Sequence, residues 1–399
     1  MLGLATALNS SSLKKKSVLT NKFSAELDGT GDYIDVSSLS SDLNREAGTI
    51  SMWIKVQATA SNESFFNCSD GDNTDNKIFL IYQTSGAKLQ AGYKFAGTSI
   101  IASHTIGNDD LVGLGWFHLA MTYNTNTPLI QLFLNGTRVA QRTTSLTPIN
   151  EDVAIDRIRL GSNSTGNDTY HYGNIDEFIY IAGKDLTEVE MLLLYNNGKP
   201  DDIGDLPLAI KNVIRCWLRF GDGQIDGDTD KTSVIFDQKN ATLNSDLITN
   251  GDFSTSGTPA NTSFSLGWRS PDDSAEHTSI ANGVATILNP TGSGGKFFAT
   301  NGVDSSAVVV SGNTYKLTYT VTANDGCTSF RYHTGGAYVT TSGDVGTHTV
   351  YYVAAGVIFL FRNNTTGSTI KIDNVSLEQV NGNPGFCVAD ATVGNNNVP

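Results

Sequence analysis

The fold of this 399-residue chain is indicated by two pairs of short sequences. The first pair is FSAELDGTGDYID at Phe23–Asp35 and GNIDEFIYI at Gly173–Ile181, and the second is NGDF at Asn250–Phe253 and IDNVSL at Ile372–Leu377. Each pair opens and closes a span long enough for a β-sandwich. Between the members of each pair, the chain reads as short strands and polar turns. We therefore predict an all-β protein with two antiparallel β-sandwich (jelly-roll) domains and one short helix after the first.

Local patterns in the first span predict strands, a hairpin and the helix. In Gly48–Val56 apolar residues occupy every second position, as in a strand with one buried face. Asn135 and Gly136 separate two strand-like runs and tolerate the positive φ angles of a type I′ turn, so they predict a hairpin. Thr187, with Glu190 three residues later, matches a capping box and marks the start of the helix.

The later part of the chain repeats these all-β patterns. Thr314–Thr322 alternates strictly and predicts a half-buried antiparallel strand. Val357–Phe361 is apolar at every position, which favours a strand in the middle of a sheet, covered on both faces. The Asn- and Gly-rich segment Asn381–Pro399 is predicted to be loose.

The composition excludes several classes of function. With 26 Lys plus Arg against 40 Asp plus Glu, the formal net charge is −14. That charge repels phosphate backbones, so we expect no nucleic-acid partner. No apolar run approaches the roughly 20 residues of a membrane span, so no membrane insertion is expected. The apolar start Met1–Leu8 precedes Lys14–Lys16, the reverse of the order in an export signal.

Four cysteines are scattered through the sequence: Cys68, Cys216, Cys327 and Cys387. Their spacing fits neither a zinc site nor a disulfide framework. Buried, reduced thiols are the favoured interpretation, and a bridge between Cys327 and Cys387 stays open.

The first span resembles a laminin-G-like, concanavalin-A-like lectin domain. The resemblance is carried by seven segments in order: Leu27–Asp35, Ile50–Ile54, Trp116–Tyr123, Leu132–Thr137, Arg159–Gly161, Ile175–Ile179 and Leu186–Glu190. The second span, with Trp268 soon after its opening, resembles the jelly-roll carbohydrate-binding modules attached to bacterial xylanases and cellulases. The linking pieces Cys216–Asp222 and Phe236–Thr242, together with the N-terminal arm, resemble virion proteins of marine bacteriophages.

These resemblances imply a division into five parts that fold around two independent sandwiches. The parts are a docking arm (1–22), a laminin-G-like sandwich (23–199), a connector (200–246), a carbohydrate-binding-module-like jelly roll (247–380) and a C-terminal tail (381–399).

Sugar binding needs flat apolar rings beside hydrogen-bonding side chains. In the second span Trp268, Tyr332 and Tyr338 supply rings, and Arg331 and His333 lie beside them in sequence. We predict that Trp268, Tyr332, Tyr338 and Arg331 bind carbohydrate, although each ring could instead serve in ordinary packing.

A structural calcium ion is implied by the same resemblance. In similar modules the ion ties the first strand to the last, which places Asp252, Asp373 and carbonyls near Asn250 in its oxygen shell. The alternative is that both carboxylates cap turns. The stretch Asp226–Asp230 with Asp237 superficially matches a calcium loop but lacks its glycine, and is interpreted as a solvated acidic turn.

No catalytic motif is present, and the protein is expected not to be an enzyme. The sequence has no G-x-S-x-G, no H-E-x-x-H and no phosphate loop. Two carboxylates could still meet in space, as glycoside hydrolysis requires.

These observations predict a non-catalytic bacteriophage virion protein, on a capsid or tail fibre, with modules that bind host surface glycans. Its arm would dock to other virion proteins, and homo-oligomers are possible. One alternative is a secreted bacterial adhesin or an accessory module of a polysaccharide-degrading enzyme. Another is a decoration protein without a ligand.

Overall fold

The structure is a computed structural model that describes residues 19–58, 61–71, 73–163, 169–222, 234–239, 242–259, 266–270, 277–292, 295–300, 308–389, 391–395 and 398–399. These residues form four antiparallel β-sheets, paired into two sandwiches with separate apolar cores. The predicted all-β fold with two sandwiches is confirmed. None of the helices in the described part is long and apolar enough to cross a membrane.

The first sandwich begins near the N-terminus and contains all the helical segments found among the described residues. Its strands up to the end of the connector are β1 (Phe23–Asp28), β2 (Tyr33–Asp35), β3 (Ala47–Val56), β4 (Glu63–Asp70), β5 (Asn73–Gln83), β6 (Lys88–Phe95), β7 (Thr98–Thr105), β8 (Trp116–Asn124), β9 (Leu129–Leu134), β10 (Thr137–Thr143), β11 (Arg157–Leu160), β12 (Tyr172–Ala182), β13 (Ile214–Leu218) and β14 (Val234–Ile235). Its α-helices are α1 (Asn108–Gly113), α2 (Glu188–Tyr195) and α3 (Leu208–Lys211), and 3-10 turns span Ser37–Asp42 and Ile203–Asp205.

The local predictions for this sandwich are confirmed. The apolar positions of β3 are buried, and β9 and β10 form the hairpin around Asn135 and Gly136, whose φ angles are 50° and 76°. Helix α2 starts at a complete capping box, because Thr187 accepts from the Glu190 backbone N–H and the Glu190 carboxylate accepts from the Thr187 N–H.

The second sandwich consists of two five-stranded sheets. Its strands are β15 (Trp268–Arg269), β16 (Thr278–Ala281), β17 (Val284–Asn289), β18 (Gly295–Ala299), β19 (Thr314–Asp325), β20 (Phe330–His333), β21 (Tyr338–Thr341), β22 (Gly346–Val353), β23 (Leu360–Asn363) and β24 (Ser368–Val380). One sheet has the order β15-β18-β23-β20-β21, and the other has the order β16-β17-β24-β19-β22.

Of the two strands predicted here, the one at Thr314–Thr322 is confirmed, and the one at Val357–Phe361 begins three residues later than predicted. The alternating apolar residues of β19 point into the core. The apolar run that predicted a central strand does contain one, since β23 lies between β18 and β20. The strand begins only at Leu360, however, and Val357 lies in the preceding loop with 47% of its surface exposed.

The connector and the C-terminal segment belong to the first sandwich, which corrects the prediction of a loose tail. The last two strands are β25 (Gly385–Val388) and β26 (Thr392–Asn395). Strand β25 pairs with β2 and β14, and β26 pairs with the outer edge of β1. In the connector, β13 pairs with β12. The second sandwich is therefore an insertion between β14 and β25.

The tail escapes prediction because its strands contribute backbone hydrogen bonds more than apolar side chains. In β26 only Val393 enters the core, and the two residues after it are Gly394 and Asn395, which are poor strand formers. The free edge of β1 supplies the partner that local sequence cannot reveal.

The entrance and exit of the insertion lie side by side. The Asn381 N–H donates to the Thr242 carbonyl at 3.0 Å, and the Asn381 side chain reaches Thr242 Oγ1 at 2.8 Å. One step further out, the Asn244 N–H donates to the Gln379 carbonyl. Residues 242–244 and 379–381 thus form a narrow neck, through which the chain leaves the first sandwich and returns to it.

The last residues of the predicted arm lie against the first sandwich, whereas residues 1–18 fall outside the described part. The buried Asp222 carboxylate accepts from the Lys22 and Phe23 N–H groups at 2.8 and 3.0 Å. Asn21 donates to buried Asp176, and Arg219 donates to the Thr20 carbonyl. Buried charged groups therefore fix the chain where β1 begins.

All four cysteines are free thiols, as favoured from the sequence. Cys327 lies in the core of the second sandwich and Cys387 on β25 of the first, so the open alternative of a bridge between them is not formed. Burial raises the pKa of both thiols, which lowers their reactivity.

The insertion topology predicts which truncations fold. A chain in which a Gly-Asn-Gly linker replaces residues 243–380 should melt cooperatively, because the neck already holds residues 242 and 381 together. A chain that ends at residue 199 should not, because it loses four strands and the buried Leu218, Phe220 and Ile235. Each contributes about 1.5–3 kcal/mol, together comparable to the whole stability of a domain. Circular dichroism melts would measure both.

The excised second sandwich, residues 242–381, serves as the control for the linker variant and should also melt cooperatively. Equal melting temperatures for the chain ending at residue 199 and the linker variant would contradict the role of the C-terminal strands.

Candidate functional site

Two of the residues predicted to bind carbohydrate face the core. Trp268 is fully buried and stacks on Phe297, with ring centroids 4.3 Å apart and planes within 2°. Its indole N–H donates to the Asn250 carbonyl. Tyr332 is 5% exposed and packs against Tyr352. The expectation of exposed rings is therefore wrong for Trp268 and Tyr332, because both lie on the inward-facing side of their strands.

The other two predicted residues share the outer face of the same sheet. Arg331 and His333 alternate with the buried residues of β20, so they point away from the core. Tyr338 pairs directly with His333 across β20 and β21, and their rings meet edge to face with centroids 4.7 Å apart. The roles of Tyr338 and Arg331 in sugar binding stay predictions.

Strand register places further residues beside them in two rows, which together we name the basic–aromatic face. One row crosses the sheet through Arg269, Phe298, Leu360, His333 and Tyr338. The other row runs through Lys296, Arg362, Arg331 and Thr340. All these side chains except the buried Leu360 and the exposed Thr340 are half-buried.

Guanidinium groups lie over the rings of this face. The Arg362 guanidinium carbon is 4.9 Å from the Tyr338 ring centroid, and that of Arg269 is 4.2 Å from the centroid of Phe298. Such stacking holds the long arginine side chains in place. His333 Nδ1 accepts from the Gly335 N–H at 3.0 Å, and burial lowers the pKa of this imidazole.

The sequence-based prediction missed Arg269, Lys296, Phe298 and Arg362. Each alternates with a buried residue of its strand, for example Arg362 with Phe361, and that alternation is a readable signal of an outward position. Strand pairing, which brings the four residues together, has no signal in the local sequence.

A second candidate site lies on the outer face of the first sandwich, and we name it the Tyr172 cleft. It has a volume of about 330 Å³. Its lining residues are Glu26, Leu27, Asp28, Asp32, Gln57, Tyr172, Gly173, Asn174 and Thr392. Thr392 belongs to β26, so the C-terminal strand forms part of the wall.

The cleft sets an aromatic ring beside oxygen-rich side chains. Tyr172 is 45% exposed and lies directly opposite Asp28 across β1 and β12. Asn174, two residues further along β12, faces Glu26. Directly paired residues have Cβ atoms about 4.5–5.5 Å apart. A sugar stacked on the Tyr172 ring would therefore lie within hydrogen-bonding reach of Asp28.

The predicted calcium ligands lie near the meeting point of the first and last segments of the second span. The Val375 N–H donates to the Gly251 carbonyl at 2.9 Å. Asp252 accepts from the Ser254 N–H and hydroxyl, which lowers its pKa, and Asp373 accepts from the Asn374 N–H. The Asp252 carboxylate thus closes a turn, whereas Asp373 lies within β24. Among the described residues, no group of three or more His, Cys, Asp or Glu side chains is placed to hold a metal ion.

Of the acidic stretch predicted as a solvated turn, residues 223–233 lie outside the described part. Asp237, in contrast, is fully buried. Its carboxylate accepts from the backbone N–H groups of Trp217, Lys239 and Asn383, and burial raises its pKa to about 6. Asp237 is therefore a structural anchor rather than a solvated residue.

With this geometry in place, one comparison with known families is informative. Residues 28–188 match the concanavalin A-like lectin/glucanases superfamily. The matched range runs from the end of β1 to the start of α2, which is most of the first sandwich. This part of the first sandwich is thus similar to concanavalin A-like lectins, in agreement with the resemblance.

Solved structures with a similar arrangement include the carbohydrate-binding module of a Ruminococcus gnavus sialidase bound to α2,3-sialyllactose. It is 17% identical, with a TM-score of 0.36, and the match covers 43% of this chain and 96% of that one. A pentraxin from Limulus polyphemus is 12% identical, with a TM-score of 0.33. The match covers 46% of this chain and 88% of that one.

Domain 4 of an extracellular arabinanase from Geobacillus stearothermophilus, in complex with arabinotriose, is 18% identical, with a TM-score of 0.35. The match covers 43% of this chain and 76% of that one. No protein of curated function is significantly similar in sequence.

The calcium hypothesis stays a prediction with a direct test. If Asp252 and Asp373 share an ion, free calcium should raise the melting temperature, because binding to the native state alone stabilises it. The double variant Asp252→Asn, Asp373→Asn should abolish this rise in a differential scanning measurement. Asp325→Asn with Asp344→Asn, two exposed carboxylates of the same sandwich, is the matched control. An unchanged calcium response in the first double variant would refute the assignment.

Proposed function

We propose that this protein is a non-catalytic glycan-binding protein and that the Tyr172 cleft is one of its sugar sites. The observation that carries the proposal is the half-exposed Tyr172 ring opposite Asp28 within the lectin-like sandwich. Aromatic faces pack on the C–H groups of pyranose rings, and carboxylates and amides accept and donate hydrogen bonds at the hydroxyls.

The charge of the cleft selects its ligand. Glu26, Asp28 and Asp32 line the cleft together. Carboxylates at this density repel uronic or sialic acids but accept hydrogen bonds from uncharged hydroxyls. Neutral saccharides are therefore the ligand class that the cleft fits.

A non-catalytic role is supported by the surroundings of a Ser–His pair in the first sandwich. Ser51 Oγ and His118 Nε2 lie 2.7 Å apart, a geometry typical of an activated nucleophile. Both side chains are buried, and the cavity beside them measures only about 10 Å³. Burial lowers the pKa of His118 to about 3, so the imidazole is neutral. A substrate has no access to this pair, whose role is packing beside Trp53.

Tyr172→Ala should weaken binding of neutral glycans about tenfold or more, because it removes the stacking surface. Binding of the full-length chain to a glycan array, followed by titration with the strongest neutral ligand, would measure the loss. Tyr172→Phe keeps the ring and should retain most of the affinity.

Asp28→Asn should reduce affinity, whereas Asp109→Asn, at an exposed carboxylate on α1 outside the cleft, should not. Equal affinity of wild type and Tyr172→Ala for every neutral glycan on the array would eliminate the cleft as a sugar site.

We further propose that the protein is carried on a bacteriophage particle, where glycan-binding modules would recognise the host surface. The support is the resemblance of the connector and arm to virion proteins. The alternative, an accessory module of a polysaccharide-degrading enzyme or an adhesin, also fits a glycan-binding chain. Mass spectrometry of purified particles should detect the full chain, and a variant lacking residues 1–18 should be missing from them. If that variant is incorporated normally, residues 1–18 do not attach the protein to the particle.

A further inference from the structure

A buried hydrogen-bonded pair lies behind the lining of the Tyr172 cleft. Glu63 and His171 are both buried, and His171 Nδ1 lies 2.8 Å from Glu63 Oε2. The imidazole also meets the ring of Phe65 edge to face, with centroids 5.3 Å apart. The described lining of the cleft includes neither side chain of the pair. Any effect of the pair on a bound sugar must therefore pass through residues that do line the cleft.

The pair bonds the backbone of two lining residues. Glu63 Oε2 also accepts from the Tyr172 N–H at 2.8 Å. The His171 Nε2–H donates to the Asn174 carbonyl over a longer distance of 3.4 Å. The backbone of β12 is therefore held on both sides of Gly173, which is itself a lining residue.

Glu63 connects the strand of the cleft to the opposite sheet. It is the first residue of β4, whereas Tyr172 is the first residue of β12, and the two strands belong to different sheets of the first sandwich. On the other side of Tyr172, its carbonyl accepts from the Gln57 N–H at 2.9 Å. The bond to Glu63 therefore adds support from a second direction at the point where β12 begins.

The imidazole of the pair packs against the backbone of the cleft. A Cβ atom at Gly173 would lie 3.0 Å from His171 Cε1 and Nε2, and 1.9 Å from the Lys55 carbonyl oxygen. Glycine therefore leaves the room that the ring and the carbonyl occupy. Because the ring and the Gly173 backbone are in close contact, a change in the ring shifts the backbone of the cleft.

We propose that Glu63 and His171 are positioning residues of the sugar site in the Tyr172 cleft, an inference that rests on the proposed function of that cleft. They hold the backbone at Tyr172 and Asn174, so that the Tyr172 ring stays in place for a sugar whose hydroxyls reach Asp28. A site whose supporting residues leave it about 1 Å too loose loses function. The pair therefore acts on sugar binding through Tyr172 and does not touch the sugar.

The alternative role of the pair is stability alone, and its chemistry favours positioning. Apolar residues of similar size often replace a buried ionisable pair with no loss of stability. Stability alone therefore does not require Glu63 and His171, whereas two directed hydrogen bonds to the backbone of the cleft do. Without the pair, the Tyr172 N–H has lost its buried acceptor, and the backbone would turn toward water in the cleft to satisfy it.

Replacing the pair by apolar residues of similar size tests the proposal. The double variant Glu63→Met, His171→Leu should fold with a melting temperature close to that of the wild type. Its affinity for neutral glycans should nevertheless fall about tenfold or more, because the Tyr172 ring is no longer held in place. Isothermal titration of the full-length chain with cellohexaose, mannohexaose and the neutral glycan that the array selects would measure the affinity, and differential scanning calorimetry would measure the melting temperature.

Two further variants serve as controls. Ser51→Ala with His118→Leu removes another buried, hydrogen-bonded histidine pair from the same sandwich and should keep wild-type affinity. Glu63→Gln keeps an acceptor oxygen for the Tyr172 N–H and should retain most of the affinity.

A double-mutant cycle separates positioning from a general effect on the fold. In the Tyr172→Ala background, the change Glu63→Met, His171→Leu should cause at most about a twofold further loss of affinity, because the ring through which the pair acts is already gone. A further loss of about tenfold in that background would overturn the proposal. Wild-type affinity in the folded Glu63→Met, His171→Leu variant would overturn it as well.

If the double variant does not fold, His171→Gln decides the matter. Its amide keeps a donor for Glu63 and lacks the second ring N–H that bonds Asn174, so affinity should fall about threefold or more. Unchanged affinity in His171→Gln would then refute the positioning role.

Failure of this proposal is distinguishable from failure of the proposed function. Unchanged affinity in Tyr172→Ala eliminates the cleft as a sugar site, and the positioning role with it. A loss in Tyr172→Ala without a loss in Glu63→Met, His171→Leu removes the positioning role alone.

Discussion

The architecture depends on one buried carboxylate, that of Asp237. It accepts hydrogen bonds from the backbone of Trp217 on β13, from Lys239 just before the insertion and from Asn383 just after it. Three chain segments separated by up to 166 residues therefore meet at one side chain. Burial of an ionisable group is costly unless hydrogen bonds compensate it, and three N–H donors provide that compensation. Asp237 therefore holds together the segments before and after the inserted sandwich, and the strands of the first sandwich can pair on both sides of the insertion.

This closure connects the fold to the candidate functions. Strand β26 returns to the edge of β1 and supplies Thr392 to the wall of the Tyr172 cleft. The same return joins the second sandwich to the first through two adjacent segments, and Phe236 of the connector packs edge to face against Tyr351 of β22. The first sandwich carries the acidic lining of the Tyr172 cleft, and the outer face of one sheet of the inserted sandwich carries Arg269, Lys296, Arg331 and Arg362.

Sequence patterns were sufficient where the information is local. The alternation in β3 and β19, the Asn135–Gly136 turn and the capping box of α2 all depend on residues within a few positions of each other. The same local information failed for the site. Trp268 and Tyr338 are both aromatic residues of short strands, and only the side of the sheet on which each lies decides that one stacks on Phe297 in the core and the other stands beside Arg362 at the surface.

The sequence by itself determined the all-β class, the two spans and the strand-by-strand alternation, because side-chain periodicity and turn chemistry are written into adjacent residues. Only the tertiary structure decided that the C-terminal segment completes the first sandwich, because β26 is held by backbone hydrogen bonds to β1, nearly the whole chain away, and those bonds leave no mark on side-chain pattern. Only the tertiary structure brought Lys296, Arg331 and Arg362 into one row. The order of strands in a sheet, not the order of residues in the chain, sets which charges meet.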